Sequence, residues 1–315
     1  MTSLPAVSAI TGTIVPTLPD TATWAGLVNA WLDSYPSPRT RQNYAREARQ
    51  WTQWCDFLAV NPMHATRVHA DAYLRHLEEQ GEMPATRARR LAAVSGAYRY
   101  AQSIGALTTG NPVEHVRRPK VDQDASATVG LAEAEAVRML RWAEDEGPRT
   151  HALIALLLLG ALRVSEALSV RAEDLTVDRG HRVLSVAGKG GKVRRLAVAP
   201  SLGRALDAVL DGRTEGLILT TATGNAWDRS EAWRAVRRIA KAAAVEEAGK
   251  ISPHSLRHTA VTMALQAGEP LDRVQALAGH SDPRTTQRYN RRLGQLDNHA
   301  AYGLDRYLSD KAGTE

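Results

Sequence analysis

HRVLSVAGKGGKVRRLAVAP, residues 181–200, breaks the pattern of the chain on either side of it. HRVLSVAG (181–188) and KVRRLAVAP (192–200) alternate or cluster β-branched residues. A period of two makes one apolar face only on an extended strand. Lys189, Gly190 and Gly191 lie between the two runs and supply the backbone freedom of a reversal. The stretch therefore predicts a β-hairpin over 181–188 and 192–200 with a glycine-rich tip. Around it the period is that of a helix, with helices expected over 131–145, 148–160, 202–210, 229–243, 253–267, 270–278, 283–291 and 297–309. This half reads as a mostly helical domain with one small antiparallel sheet.

The N-terminal half has helical spacing alone. Trp24, Leu27, Val28, Trp31 and Leu32 share one face, and Ser37, Pro38 and Thr40 open a second helix carrying Tyr44, Trp51, Trp54 and Phe57. A third fits His69 to Gln80, stopped by Gly81, and a fourth fits Pro84 to Ser103, stopped by Gly105. Four helices in so short a span make a compact all-α domain. Residues 109–127 hold prolines and mixed charge without apolar period, as a linker does. The expected organisation is a flexible tail over 1–20, a helical domain over 21–108, the linker over 109–127 and the mixed domain over 128–310.

A chain of 315 residues suffices for two such domains. Its single cysteine, Cys55, excludes an intramolecular disulfide and a cysteine-based metal cluster. The strongest apolar run, ALIALLLLGAL at 152–162, is too short to span a bilayer and reads as a buried helix, and the first twenty residues make a poor secretory signal. A soluble cytoplasmic protein is expected. The formal net charge is +6, and residues 21–120 carry 13 Lys/Arg against 8 Asp/Glu. Such a balance suits a polyanion, nucleic acid above all, as well as it suits an ordinary solvated surface. Arg39, Arg41, Arg46 and Arg49 lie on or before the second helix, and Arg87, Arg89 and Arg90 open the fourth. Arginine forks match phosphate oxygens.

Four short segments carry chemistry. GALRVSEAL, 160–168, places Arg163 and Glu166 one helical turn apart, the spacing of a surface ion pair as much as of a functional one. AGKGGKVRRL, 187–196, puts Lys189 on the hairpin tip, where a long cation reaches either solvent or a cleft. SPHSLRHT, 252–259, reads as an N-cap at Ser252 with His254 and Arg257 on the first turns, where the helix dipole favours an anion. LAGHSDPRTTQRYN, 277–290, restarts a helix at Asp282 and Pro283 and places Tyr289 about two turns into it.

Each segment alone has a bland reading; their order and residue types together resemble the catalytic domain of the tyrosine recombinase, or phage integrase, family. The resemblance spans roughly residues 125–308, and the helical domain looks like that family's SAM-like core-binding domain. Carried over position by position, it implies Arg163, Lys189, His254, Arg257, His280 and Tyr289 as the catalytic set, with Glu166 supporting the site. Arg41, Arg46, Arg87, Arg90 and Arg194 are the candidate DNA contacts.

The chemistry accounts for these residue types. Attack on a phosphodiester needs its growing negative charge neutralised, which paired arginine donors do. A phenol with an ordinary pKa of about 10 needs a base or a cationic pocket to become a nucleophile. His254 suits that base, and Lys189 suits the acid that protonates the leaving 5′-oxygen. No cluster of carboxylates offers a hard-metal site and a covalent 3′-phosphotyrosine conserves the bond energy, so neither a metal nor ATP is expected as a cofactor. Tyr302 and Tyr307 compete for the nucleophile's role, but only Tyr289 follows a His-containing turn at the family's distance.

The resemblance implies a site-specific recombinase acting on double-stranded DNA through a Holliday junction, as a homotetramer on two duplexes and a monomer or weak oligomer off DNA. Integration or excision of a phage or mobile element is the leading expectation, with an accessory directionality factor as a further partner and no membrane. A Xer-like resolvase, a type IB topoisomerase and a DNA-binding regulator remain as alternatives.

Overall fold

The computed structural model describes residues 21–107, 109–120, 128–188, 191–221, 223–280 and 282–290, with isolated positions beyond. Lys189 lies outside them, as do residues 1–20 and nearly all of the helix expected over 297–309. At Tyr289 only the backbone is described. The chain divides into two units, Met1–Asp122 and Gln123–Glu315.

The first unit packs α1 (Trp24–Asp33), α2 (Pro38–Phe57), α3 (Arg67–Glu79) and α4 (Pro84–Ser103). Side-chain oxygens start the first two: Thr23 accepts from the Gly26 amide and Ser37 from that of Thr40. The core is aromatic. Trp51 donates its indole N–H to the Tyr98 hydroxyl at 3.0 Å, and that hydroxyl donates to the Pro62 carbonyl at 2.6 Å. Two large rings are thus buried without orphaning their polar atoms. Val113 and Val116 join this core, so the segment read as a linker packs on the unit over its first half.

The basic residues of α4 divide by helical phase. Arg87 and Arg90 precede the core residues Leu91 and Val94 by one turn and share their side of the helix. Arg87 pairs with Glu78 at 2.7 Å, and Arg90 bonds Gln50 and Glu82, each at 2.5 Å. Both are candidate DNA contacts, and both are paired within the unit and mostly buried. Arg89 and Arg46 stay exposed and converge on Oε1 of the buried Glu47, at 2.5 and 3.1 Å. One carboxylate thereby spans α2 and α4.

The second unit is built around α6 (Pro148–Leu158), the apolar run of the sequence, whose residues Ala152 to Leu157 are fully buried. Against it lie α5 (Glu133–Glu146), α8 (Pro200–Leu210), α9 (Arg229–Ala242) and α10 (Pro253–Gln266). The remaining helices are the single turn α7 (Val164–Ala167), α11 (Leu271–Ala278) and α12 (Pro283–Asn290). The sheet is antiparallel in the order β1 (Leu175–Asp178), β2 (His181–Ala187), β3 (Val193–Ala197). The hairpin is where the period of two placed it, and β1 is an addition. Its LTVD segment has only 4 residues and its middle residues Thr176 and Val177 are exposed, so its alternation is too brief to mark a strand.

Gly160 ends α6 where no side chain fits. A Cβ there would stand 2.8 Å from the Leu156 carbonyl oxygen and 2.8 Å from Leu162 Cδ1. Ala161 follows in the left-handed region, at φ 48°, and the chain reverses to present Arg163 at the N-cap of α7. We expect Gly160→Ala to lower stability by about 1–3 kcal/mol, the range for overpacking a closed site. Urea denaturation measures it, and an unchanged midpoint would mean that the turn yields.

Candidate active site

Glu166 collects the site. It is 4 % exposed, and its carboxylate accepts from the Arg163 amide at 2.9 Å, the Arg163 guanidinium at 2.7 Å and Arg194 Nη2 at 3.0 Å. Arg257 Nη1 lies 3.9 Å away. Burial pushes the carboxyl pKa up, but the hydrogen bonds from Arg194 and Arg163 outweigh it and the net shift is downward. Glu166 is therefore an ionised anchor among cations. The expectation of Arg163 and Glu166 side by side on a helical face is corrected in one respect: Arg163 is the N-cap, tied back by Glu166 through backbone and side chain together.

Sheet register explains why Arg194 enters the site and Arg195 does not. Along β3, Arg194 lies on the same face as the buried Leu196, while Arg195 points to the other face and pairs with Asp178 at 2.6 Å. Arg194, expected to contact DNA, is thereby turned towards Glu166. It also lies against Gly279, where a Cβ would stand 2.8 Å from its Cδ and Nε. Gly279 caps α11 at φ 61° and so serves twice: it reverses the chain and leaves room for a guanidinium.

Arg257 is 3 % exposed on α10. Its Nη1 donates to the Ala161 carbonyl, and its Nη2 donates to the Ala278 carbonyl at 2.6 Å. It joins the turn before Arg163 to the end of α11, just ahead of His280. Arg163 reaches the same place, with Nη2 3.4 Å from the Gly279 carbonyl. Four stretches far apart in sequence are held together by guanidinium bonds.

The two histidines sit in the field of these cations. His254 occupies the first turn of α10, behind the Ser252 cap, and its ring is exposed. Partial desolvation, then Arg257 and Arg163, lower its pKa. His280 is pushed down to about 4 by burial and by Arg257, Arg163 and Arg194, against a smaller opposite pull from Glu166. Both rings are neutral near pH 7. One can accept a proton and the other can present a single N–H.

A cleft of about 750 Å³ opens here, lined by Arg163, Glu166, Arg194, Gly279 and His280 and, from the hairpin, Lys192. Lys192 was not singled out from the sequence, although it flanks the same glycine pair as Lys189. Thr286 was missed as well; it is fully buried on α12 and hydrogen-bonded to His280 Nδ1 at 2.9 Å. Its one-turn spacing before Tyr289 was the available signal. Among the described residues no cluster of His, Cys, Asp or Glu is placed to hold a metal ion.

The sequence matches the Phage integrase family over residues 130–295 and the phage integrase N-terminal SAM-like domain over residues 30–105. It is 30 % identical over 271 residues to tyrosine recombinase XerD of Pseudomonas aeruginosa, covering 82 % of this chain and 88 % of that one. It is 34 % identical over 225 residues to tyrosine recombinase XerC of Corynebacterium efficiens, covering 69 % and 71 %. The fold is shared with the Tn1549 transposon integrase in complex with a circular intermediate DNA, at TM-score 0.71, 20 % identity, and 90 % and 99 % of the two chains. It is shared too with the XerH site-specific recombinase bound to its difH substrate, at TM-score 0.67, 20 % identity... over 89 % and 84 %. The chain belongs to the phage integrase family of tyrosine recombinases, enzymes that cleave and rejoin DNA.

Proposed function

We propose that this recombinase exchanges strands between two specific DNA sites through a covalent 3′-phosphotyrosine at Tyr289 and a Holliday junction. The observation that carries the reading is the convergence of Arg163, Arg194 and Arg257 on the ionised Glu166, with His254 and His280 in the field of these cations. Such a cleft neutralises a phosphodiester as its charge grows in the transition state. Arg163 meets the non-bridging oxygens, and Arg257 contributes a fixed charge beside them. Neutral His254 takes the phenol proton of Tyr289 and returns it in the reverse step. His280 donates to the phosphate, Glu166 with Arg194 keeps the cations in place, and Lys189 protonates the departing 5′-oxygen.

Integration and excision of a mobile element is the role we assign, by a homotetramer on two duplexes in the cytoplasm that is a monomer or weak oligomer off DNA, with an accessory directionality factor choosing the direction. Xer-type resolution of replicon dimers is the second reading, supported by the XerD and XerC relatives. Mapping the trapped cleavage site separates the two, since an integrase cuts at the junction of its own element. No described helix is long and apolar enough to cross a membrane.

Tyr289→Phe is expected to bind its site with unchanged affinity and form no covalent adduct on a nicked suicide substrate. A DNA-linked band of normal yield from this variant sinks the nucleophile's assignment.

Lys189→Ala is expected to cleave a normal substrate at least about a hundredfold more slowly, the smaller end of a general acid's contribution. A 5′-bridging sulfur, a better leaving group, should largely restore it. Lys192→Ala serves as the comparison, and rescue of that variant instead would move the acid to Lys192.

In the first unit, Arg46 and Arg89 are the phosphate contacts we expect, since Glu47 displays both at the surface. Replacing both by Ala should lower the salt dependence of half-site binding by about two phosphate contacts. An unchanged slope, measured by titration at several salt concentrations, would place DNA elsewhere.

A further inference from the structure

We infer that Thr286 is a positioning residue: its hydroxyl donates to Nδ1 of His280, so that Nε2 carries the imidazole N–H offered to the scissile phosphate. The inference rests on the reading of the cleft given above and adds a residue to it. PRTTQRYN is a polar helix, yet Thr286 within it is fully buried while Gln287 beside it is exposed. A buried hydroxyl must find a partner, and the one here is His280 Nδ1, at 2.9 Å.

The backbone of His280 is fixed on both sides. The His280 amide donates to the Gln275 carbonyl at 3.2 Å, and its carbonyl accepts from Gln275 Nε2 at 3.1 Å. Gly279, left-handed at φ 61°, sets the direction in which the residue leaves α11. The ring is held between a helix end and α12.

Charge then limits its protons. With burial and three guanidinium groups holding the pKa down to about 4, His280 is neutral near pH 7 and has one N–H to place. A hydroxyl serves either tautomer, whereas an anion in the cleft needs a donor. Thr286 as donor to Nδ1 is the arrangement that satisfies both. The same bond fixes α12 against the phosphate site, one turn before Tyr289 on that helix. Phosphate recognition and the register of the nucleophile's helix thus share one hydrogen bond.

The test compares Thr286→Val, which keeps the shape and loses the hydroxyl, with Thr286→Ser, which restores it. Imidazole nitrogen chemical shifts of His280 in the DNA-free full chain should report the Nε2–H tautomer in the wild type and in Thr286→Ser. On a nicked suicide substrate, Thr286→Val should form adduct about tenfold or more slowly, as loss of a ligand-orienting partner does. Thr286→Ser should recover most of the rate, with half-site binding unchanged in both. An Nδ1–H tautomer in the wild type, or wild-type cleavage by Thr286→Val, overturns the inference. If Thr286→Val does not fold, the tautomer in the wild type and Thr286→Ser decides. Adduct formation by Tyr289→Phe would count against the site reading alone, because the tautomer is read without DNA.

Discussion

The buried Glu166 carboxylate is the constraint on which the second unit's site depends. Two guanidinium groups bond it and a third lies within 3.9 Å, so one negative charge is shared among Arg163, Arg194 and Arg257. Without it, three cations would crowd a cleft whose floor is largely desolvated, an arrangement far less favourable than in water. With it, the local balance is still positive. That surplus is what an anionic substrate meets, and after burial it is the second cause that lowers the pKa of both histidines. A single buried acid therefore holds together the cations that face the cleft.

The backbone was shaped for the same purpose. Gly160 and Gly279 stand at the two turns that lead to Arg163 and His280, and at each a Cβ would strike a neighbour at 2.8 Å. At the first the neighbours are a carbonyl oxygen and a leucine methyl; at the second, the Arg194 side chain. Arg257 then bonds a carbonyl beside each turn, Ala161 and Ala278. Its burial makes it a structural tie as well as a source of charge. A residue with both duties has a misleading mutant phenotype, because its loss opens the cleft and removes a cation together.

Much of this was legible in the sequence, and the reasons for the misses are physical. Helices with an apolar face and a polar cap announce themselves, as from Pro38 to Phe57 behind Ser37, and the β-branched residues on either side of Lys189 marked the hairpin. β1, at 4 residues, was too short to stand out. Among charged residues, type was readable but direction was not. Arg87 and Arg90 differ from Arg89 only in helical phase, and Arg194 differs from Arg195 only in strand parity. Both distinctions follow from period once the inward face is known. The inward face is a tertiary fact, set at α4 by Leu91 and Val94 and at β3 by Leu196.

The same logic separates the two kinds of arginine cluster in this chain. In the first unit, Glu47 holds Arg46 and Arg89 at the surface, with guanidinium groups from two helices meeting on one carboxylate oxygen. Those cations remain exposed to solvent, where a phosphate can replace counterions and where salt weakens the interaction. In the second unit, Glu166 gathers the buried Arg257 and the largely buried Arg194 beside the more exposed Arg163, so most of this charge acts at close range where water screens it poorly. One buried carboxylate thus displays cations and the other concentrates them. Binding along a duplex suits the first arrangement, and stabilising a transient negative charge at a single phosphate requires the second.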